Sequence, residues 1–285
     1  MAGDLLMGAV AYDPKVVTIW EGFRRWLVER GLKFDYVFYS NYERQAEELV
    51  AGRIDAAWNS PLAWIRCCRL AQANDLKARA LVMRDTDRDL SSVVVVRSDS
   101  KVASVADLSG KIVAVGAVDS PQANLLPVDL LRRHGLRAGE NLEIRLFDIG
   151  AGLHGDHIGG ERAAARALLA GEVDAACMID TNHLGFSHDG SLPAGSSRIV
   201  AQTGSFDHCN MTVIDASASG PVETFARLLL SMDFADPEVR PLLDLEGLTQ
   251  WVPGRTEGYV ALEHAVDAVG FYDKKGAVIA NDYRP

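Results

Sequence analysis

The chain has no excess of basic residues, no long apolar run and no closely spaced cysteine pair of the metal-binding or redox kind. Each absence closes a class of function. Twenty-nine lysines and arginines face 39 aspartates and glutamates, for a net charge of −10 and a pI of about 5.2. A nucleic-acid partner, which needs a basic footprint, is therefore excluded as an expectation. No apolar stretch approaches the roughly 18 residues of a membrane-spanning helix. The opening stretch "MAGDLLMGAVAYDP" has neither a basic region nor an apolar signal core. As written, the chain is expected in the cytoplasm; if a signal has been removed, it is expected in the periplasm or at the cell surface. The four cysteines are Cys67, Cys68, Cys177 and Cys209. No CxxC occurs, so zinc-knuckle and thioredoxin-like chemistry find no motif. Free thiols here read as small buried hydrophobes. No nucleophile, base and orienting group stand together, so no catalytic residue and no cofactor is assigned.

What is present is an ordinary globular composition, 48% apolar and 24% charged, over 285 residues. That length accommodates two domains. One pattern occurs twice. "ELVAGRIDAAWNS" near residue 48 and "ALLAGEVDAACMI" near residue 167 share a helix end, a glycine, a branched residue and Asp-Ala-Ala. Around each copy, strands alternate with helices. The first unit runs "LLMGAVAY", a helix from Asp13-Pro14 with Val16, Ile19, Trp20, Phe23, Trp26 and Leu27 at helical spacing, then "LKFDYVFYS", "NYERQAEELVAG" and "IDAAWN". The second runs "GKIVAVGAV", a helix opened by Asp119-Ser120-Pro121, "LEIRLFDIG", a glycine-rich loop, "ERAAARALLAG" and "VDAACMID". Two βαβαβ units imply an α/β fold with mixed, mainly parallel sheets. The non-repeating tail, with helices near "VETFARLLLSM", "EVRPLLDLEG" and "EGYVALEHAVDAVGFY", is expected to return to the first unit. The expected division is 1–92 plus 212–285 as one lobe and 97–205 as the other, with hinge crossings near 91–97 and 205–214.

In such sheets ligands sit beyond the carboxyl ends of the strands. The first lobe offers Tyr12, Asp13, Asn41, Tyr42, Trp58, Asn59 and Ser60 there. The second offers Asp119, Ser120, Gln122, His154, His157, Asp180 and Thr181. Several of these residues open helices, whose free N–H groups and dipoles favour anions. A structural reading stands beside the functional one, because Ser-Pro and Asp-Pro start many helices that bind nothing.

The stretches "YSNYERQAEELVAGRIDAAWNSPLAW", "DLSGKIVAVG…DSPQANLLPVDLL" and "RALLAGEVDAAC" resemble the phosphate/phosphonate family of ABC-transporter substrate-binding proteins. The resemblance implies the type II periplasmic-binding fold, a small-molecule ligand held in the cleft, a permease partner if the protein is exported, and a monomer. It also places the ligand's anion on the helix start Asp119-Ser120-Pro121-Gln122-Ala123. The family's loop there is rich in hydroxyls; this one carries an aspartate. With Asp13, Asp156 and Asp180 nearby and no lysine or arginine in these loops, a zwitterionic or amine-bearing ligand is expected over inorganic phosphate. Tyr12, Tyr42 and Trp58 would add aromatic faces for the cation. A rival reading is a cytoplasmic enzyme or sensor on the same fold, metal-assisted through His154, Asp156 and His157.

Overall fold

The computed structural model describes residues 4–215 and 220–285. Residues 1–3 and 216–219, both assigned above to the first lobe, lie outside the described residues. The first unit contains β1 (Asp4–Val10), α1 (Lys15–Glu29), β2 (Lys33–Tyr39), α2 (Tyr42–Val50), β3 (Ala56–Asn59), α3 (Pro61–Ala73) and β4 (Ala78–Arg84). The second contains β5 (Ser92–Arg97), β6 (Ile112–Val115), a π-helical turn (Pro121–Leu125) running into α4 (Leu126–Arg133), β7 (Glu143–Leu146), α5 (Gly159–Ala170), β8 (Ala175–Ile179), α6 (Asp180–Asp189) and β9 (Ser197–Gln202). The tail adds β10 (Asn210–Ile214), α7 (Gly220–Leu230), α8 (Arg240–Glu246), β11 (Trp251–Pro253) and α9 (Val260–Val269).

A six-stranded sheet is ordered β11-β4-β10-β3-β1-β2, and a five-stranded sheet β7-β6-β8-β5-β9. The duplication is visible in strand order. In each unit the first strand lies between the second and the third and is parallel to both, as β2-β1-β3 and as β7-β6-β8. Strands β5, β9, β10, β4 and β11 join through antiparallel pairs. The sheets are therefore mixed, with the parallel pairs confined to the repeated units.

The repeated motif has a local physical role. Gly52 and Gly171 adopt φ of +69° and +75°, a left-handed conformation that ends each helix and that glycine adopts without a Cβ clash. The aspartate that follows closes the sheet. Asp55 accepts from Leu6 N at 2.8 Å while its own N–H donates to Leu6 O. Asp174 does the same to Ile112, at 2.9 Å through the side chain. Each aspartate pins the third strand of its unit to the start of the first.

The chain passes from the first sheet to the second between Arg84 and Ser92 and returns between Gln202 and Asn210. Residues 92–97 form a central strand of the second sheet, so the first passage precedes them. The two passages touch through an antiparallel bridge between Leu90 and Phe206. The tail divides. Helix α7 packs on β1, β4 and β11, and α8 on α1, whereas α9 packs on both α3 and α4. Alpha-9 thus helps build an apolar seam in which Leu62, Trp64 and Ile65 meet Leu125, Leu126 and Ile179.

Candidate functional site

Residues from both sheets line a cavity of about 360 Å³, a size suited to a small solute. Tyr12, Gln122 and Thr181, expected from strand-end geometry, are on its wall. Lys15, Arg84, Asp87, Asp156, His208 and Glu246 supply the charged groups. The strand-end loops named above hold no lysine or arginine, but residues beside them bring Lys15 and Arg84 to the wall. Lys15 is the first residue of α1, and Arg84 ends β4. Arg84 is a strand-end residue, so the same rule that selected Tyr12 could have found it. His208 lies just before β10, and Glu246 ends a tail helix; only tertiary folding brings them in.

Arg84 does not leave the cavity basic. Its Nε and Nη2 donate to the two Asp87 oxygens at 2.6 and 2.8 Å. Its Nη1 donates to the Glu246 carbonyl at 2.9 Å, and its guanidinium lies 5.4 Å from the Trp58 ring centroid. Three carboxylates, on Asp87, Asp156 and Glu246, thus share one half-buried guanidinium. Burial raises Glu246 to about 7 despite the opposing effect of Arg84. Burial also raises Asp156, against the pull of His208 and the Tyr42 hydrogen bond. Lys15 is exposed at the mouth, its ammonium 5.9 Å from the Tyr12 ring centroid.

Four other expected site residues, Tyr42, Ser60, Asp119 and His154, fall into a sealed region beside the cavity. His154 is fully buried. Its Nε2 lies 2.8 Å from Glu43 Oε1 and its Nδ1 2.7 Å from Ser60 Oγ. Its ring stacks on Tyr42 at 4.8 Å. Burial disfavours its charge, but Glu43, Asp119 and Asp156 outweigh that and raise its pKa. Burial likewise opposes ionisation of Glu43, yet the imidazolium and the hydrogen bonds from His154 and Tyr272 hold it at about 2. Asp119 accepts from Gly152 N at 2.7 Å and His154 N at 3.1 Å. Tyr42 O–H donates to Asp156, and its N–H donates to Gly152 O. Loop 150–156 from the second sheet therefore docks on the starts of α2 and α3 in the first.

That docking explains several departures. Ser120 Oγ accepts from Ala123 N at 3.1 Å, capping its own turn, and the residue is 1% exposed. Gln122 Nε2 donates to Gly155 O at 2.9 Å. A side chain at Gly155, whose φ is +79°, would meet Ser120 Oγ at 2.5 Å and Gln122 Nε2 at 2.6 Å. Asn41 caps α2 through Arg44 N, and Asp13 accepts from Lys15 N, so both turn to their own helices. Trp58 packs edge-on to Trp20 and Trp251 in the first core. Asn59 bonds Gln45 and Cys67 inside that lobe. All four residues of β3 are buried, so neither Trp58 nor Asn59 is free to face a ligand. Asp180 ties to Ser91 Oγ at 2.6 Å and is absent from the cavity wall.

The proposed metal set His154, Asp156 and His157 does not assemble. His154 is spent on Glu43 and Ser60, while Asp156 is bonded by Tyr42. The His157 ring accepts from Gly159 N at 3.2 Å and lines a separate surface hollow with Phe147 and Ile149.

Comparison with known proteins agrees with this architecture. A family model described as "ABC transporter, phosphonate, periplasmic substrate-binding protein" matches residues 8–259. No curated protein matches. Among solved structures, PhnD1 of Prochlorococcus marinus in complex with methylphosphonate is 14% identical, with a TM-score of 0.68 over 93% of this chain and 98% of that one. XAC2383 of Xanthomonas citri, bound to ATP, is 17% identical, with a TM-score of 0.72 over 94% and 98%. The aliphatic sulphonate binding protein SsuA of Escherichia coli is 20% identical, with a TM-score of 0.53 over 95% and 92%. At these identities the structures share the fold. The family match over most of the chain carries the assignment: this protein belongs to the periplasmic substrate-binding proteins of phosphonate ABC transporters.

Proposed function

We propose that the protein binds a small zwitterionic solute of the aminoalkylphosphonate kind in the cavity between its two sheets, its amine toward Asp156 and Glu246. Family membership gives the coarser statement: a substrate-binding component with a small-molecule ligand, a permease partner and a periplasmic setting. No helix among the described residues is long and apolar enough to cross a membrane. The ligand class rests on one observation. The cavity wall holds three carboxylates, on Asp87, Asp156 and Glu246, against one half-buried guanidinium, that of Arg84, which is paired bidentately with Asp87 and lies 3.4 Å from Glu246 Oε1. A bound ammonium would convert the two raised carboxyls into charge-assisted acceptors. The ligand's acid end would face Lys15 and the Thr181–Asn182 helix start. The expected division at 1–92 plus 212–285 and 97–205 becomes part of this reading. The two lobes would close by rotation about residues 85–91 and 203–209.

A thermal-shift screen tests the ligand class. Aminoalkylphosphonates should stabilise the protein at concentrations where phosphate, sulfate and alkylphosphonates do not. Stabilisation by methylphosphonate alone, with no response to its amine-bearing analogues, would remove the carboxylates from the recognition scheme.

A further inference from the structure

The two passages between the sheets bring together three potential metal donors, none of which the solute reading assigns to direct contact with the ligand. Asp87 lies on the outgoing passage, while His208 and Cys209 lie on the return. One donor atom from each falls within 4.8 Å of the others, and all three residues are buried. His208 Nδ1 is 3.1 Å from Cys209 Sγ and 3.7 Å from Asp87 Oδ1. Bond lengths of about 2.0 Å to nitrogen or oxygen and 2.3 Å to sulfur place tetrahedral ligand atoms roughly 3.3–3.8 Å apart. The cluster is thus close to coordinating separation before any ion is considered.

We infer that Asp87, His208 and Cys209 form a binding site for a zinc-class divalent transition metal in the wall of the solute cavity, joining the two inter-sheet passages. Carboxylate, imidazole and thiolate together suit zinc over the hard cations magnesium and calcium. The donors are held in place. His208 N–H donates to Asp87 O at 2.8 Å. Tyr259 O–H donates to His208 O at 2.9 Å. Arg84 holds the Asp87 carboxylate from behind, as ligating carboxylates are commonly held by further hydrogen bonds. Each Asp87 oxygen keeps a lone pair for a metal. Charge favours the site, because the further carboxyls of Asp156 and Glu246 line the same cavity and Arg84 offsets part of that negative charge. Asp87 and His208 reach the cavity, which gives an ion access. Asp156 Oδ1, 4.0 Å from Cys209 Sγ, offers a further ligand atom. Binding would release the Cys209 thiol proton to solvent. The bland alternative is a thiol–imidazole hydrogen bond that binds nothing.

The test is cobalt substitution of the full chain, stripped with chelator under reductant and without solute. The inference expects one Co²⁺ per chain, with a thiolate-to-cobalt charge-transfer absorption that Zn²⁺ abolishes by displacement. Cys209→Ser should eliminate that band, whereas Cys177→Ser, in the core of the second sheet, should keep it. His208→Gln and Asp87→Asn should each weaken Zn²⁺ binding at least tenfold by calorimetry. A wild-type protein with no charge-transfer band would overturn the site whatever the variants do. So would a band that survives in folded Cys209→Ser. If Cys209→Ser does not fold, the His208→Gln titration decides, and unchanged affinity there overturns the site. Solute binding measured in chelator is a separate readout, so failure of either reading leaves the other intact.

Discussion

The gap between the two sheets has two regions, and they handle charge in opposite ways. In the sealed region the charged groups meet partners within the protein, although burial still raises Asp119. Glu43 faces His154, His154 faces Glu43 and Ser60, and Asp119 accepts two backbone N–H groups. In the adjoining open region Asp87, Asp156 and Glu246 share the single Arg84 guanidinium, which lies 3.4 Å from Glu246 Oε1, and burial raises the pKa values of Asp156 and Glu246 despite it. Tyr42 stands at the border, stacked on His154 and bonded to Asp156. The sealed region looks like structure, because its ion pair is complete. The open region carries the proposed binding site, because its three carboxylates outnumber the one guanidinium that they share.

Mutations should separate the two regions, and the largest effect belongs to the sealed one. His154→Ala leaves the buried Glu43 carboxylate unpaired and should destabilise the protein by about 3–5 kcal/mol. Chemical denaturation of the unliganded variant checks this; a loss below about 1 kcal/mol would show that the seal contributes little. In the open region the sign should reverse. Glu246→Gln should leave the melting temperature at pH 8 unchanged or higher, while affinity for an amine-bearing solute falls at least tenfold, the loss of one charge-assisted hydrogen bond. A large fall in melting temperature with intact affinity would place Glu246 with the structural residues.

Protonation should sharpen the same contrast. Glu246 is raised to about 7 when folded, so its contribution is fully present below its ordinary value of 4.5 and is lost as pH climbs to about 7. Glu161, also raised to about 7 by burial, adds in the same direction. The raised His154 stabilises below its ordinary 6.5 and ceases to do so as pH rises through its folded value. Glu43 works the other way, since its stabilisation is lost as pH falls from 4.5 toward 2. The unliganded protein should therefore melt highest near pH 5 and progressively lower toward pH 8, and Glu246→Gln should flatten the slope between pH 5 and 7. A melting temperature that rises across that interval would contradict these assignments. The smallest effect is expected at Ser120→Ala. It removes a cap worth about 1 kcal/mol of stability and should change solute affinity less than threefold, because the hydroxyl already serves its own turn.

Much of the fold was legible because the chain repeats itself. Gly52 and Gly171, with Asp55 and Asp174, mark the same junction in both units, and backbone geometry requires those residue types there. The candidate site was legible only where strand-end position alone brings a residue to the cavity wall, as for Tyr12, Gln122 and Thr181. Trp58 and Asn59 also end a strand, but β3 is covered on both faces, which a four-residue stretch cannot announce. His154 and His157 read as a pair in sequence, yet the left-handed backbone at His154, with φ of +48°, and at Gly155 sends their rings to different places. Glu246 and His208 come from the tail and the return passage, where the repeat gives no register.

The central claim is that an amine completes the charge of the open region. Isothermal titration with an ω-aminoalkylphosphonate and with the alkylphosphonate of equal length, on wild type and Glu246→Gln in chelator, tests it most directly. The account predicts that the amine strengthens binding at least tenfold in the wild type and that most of this advantage disappears in Glu246→Gln. Equal affinity for the two compounds in the wild-type protein would contradict it.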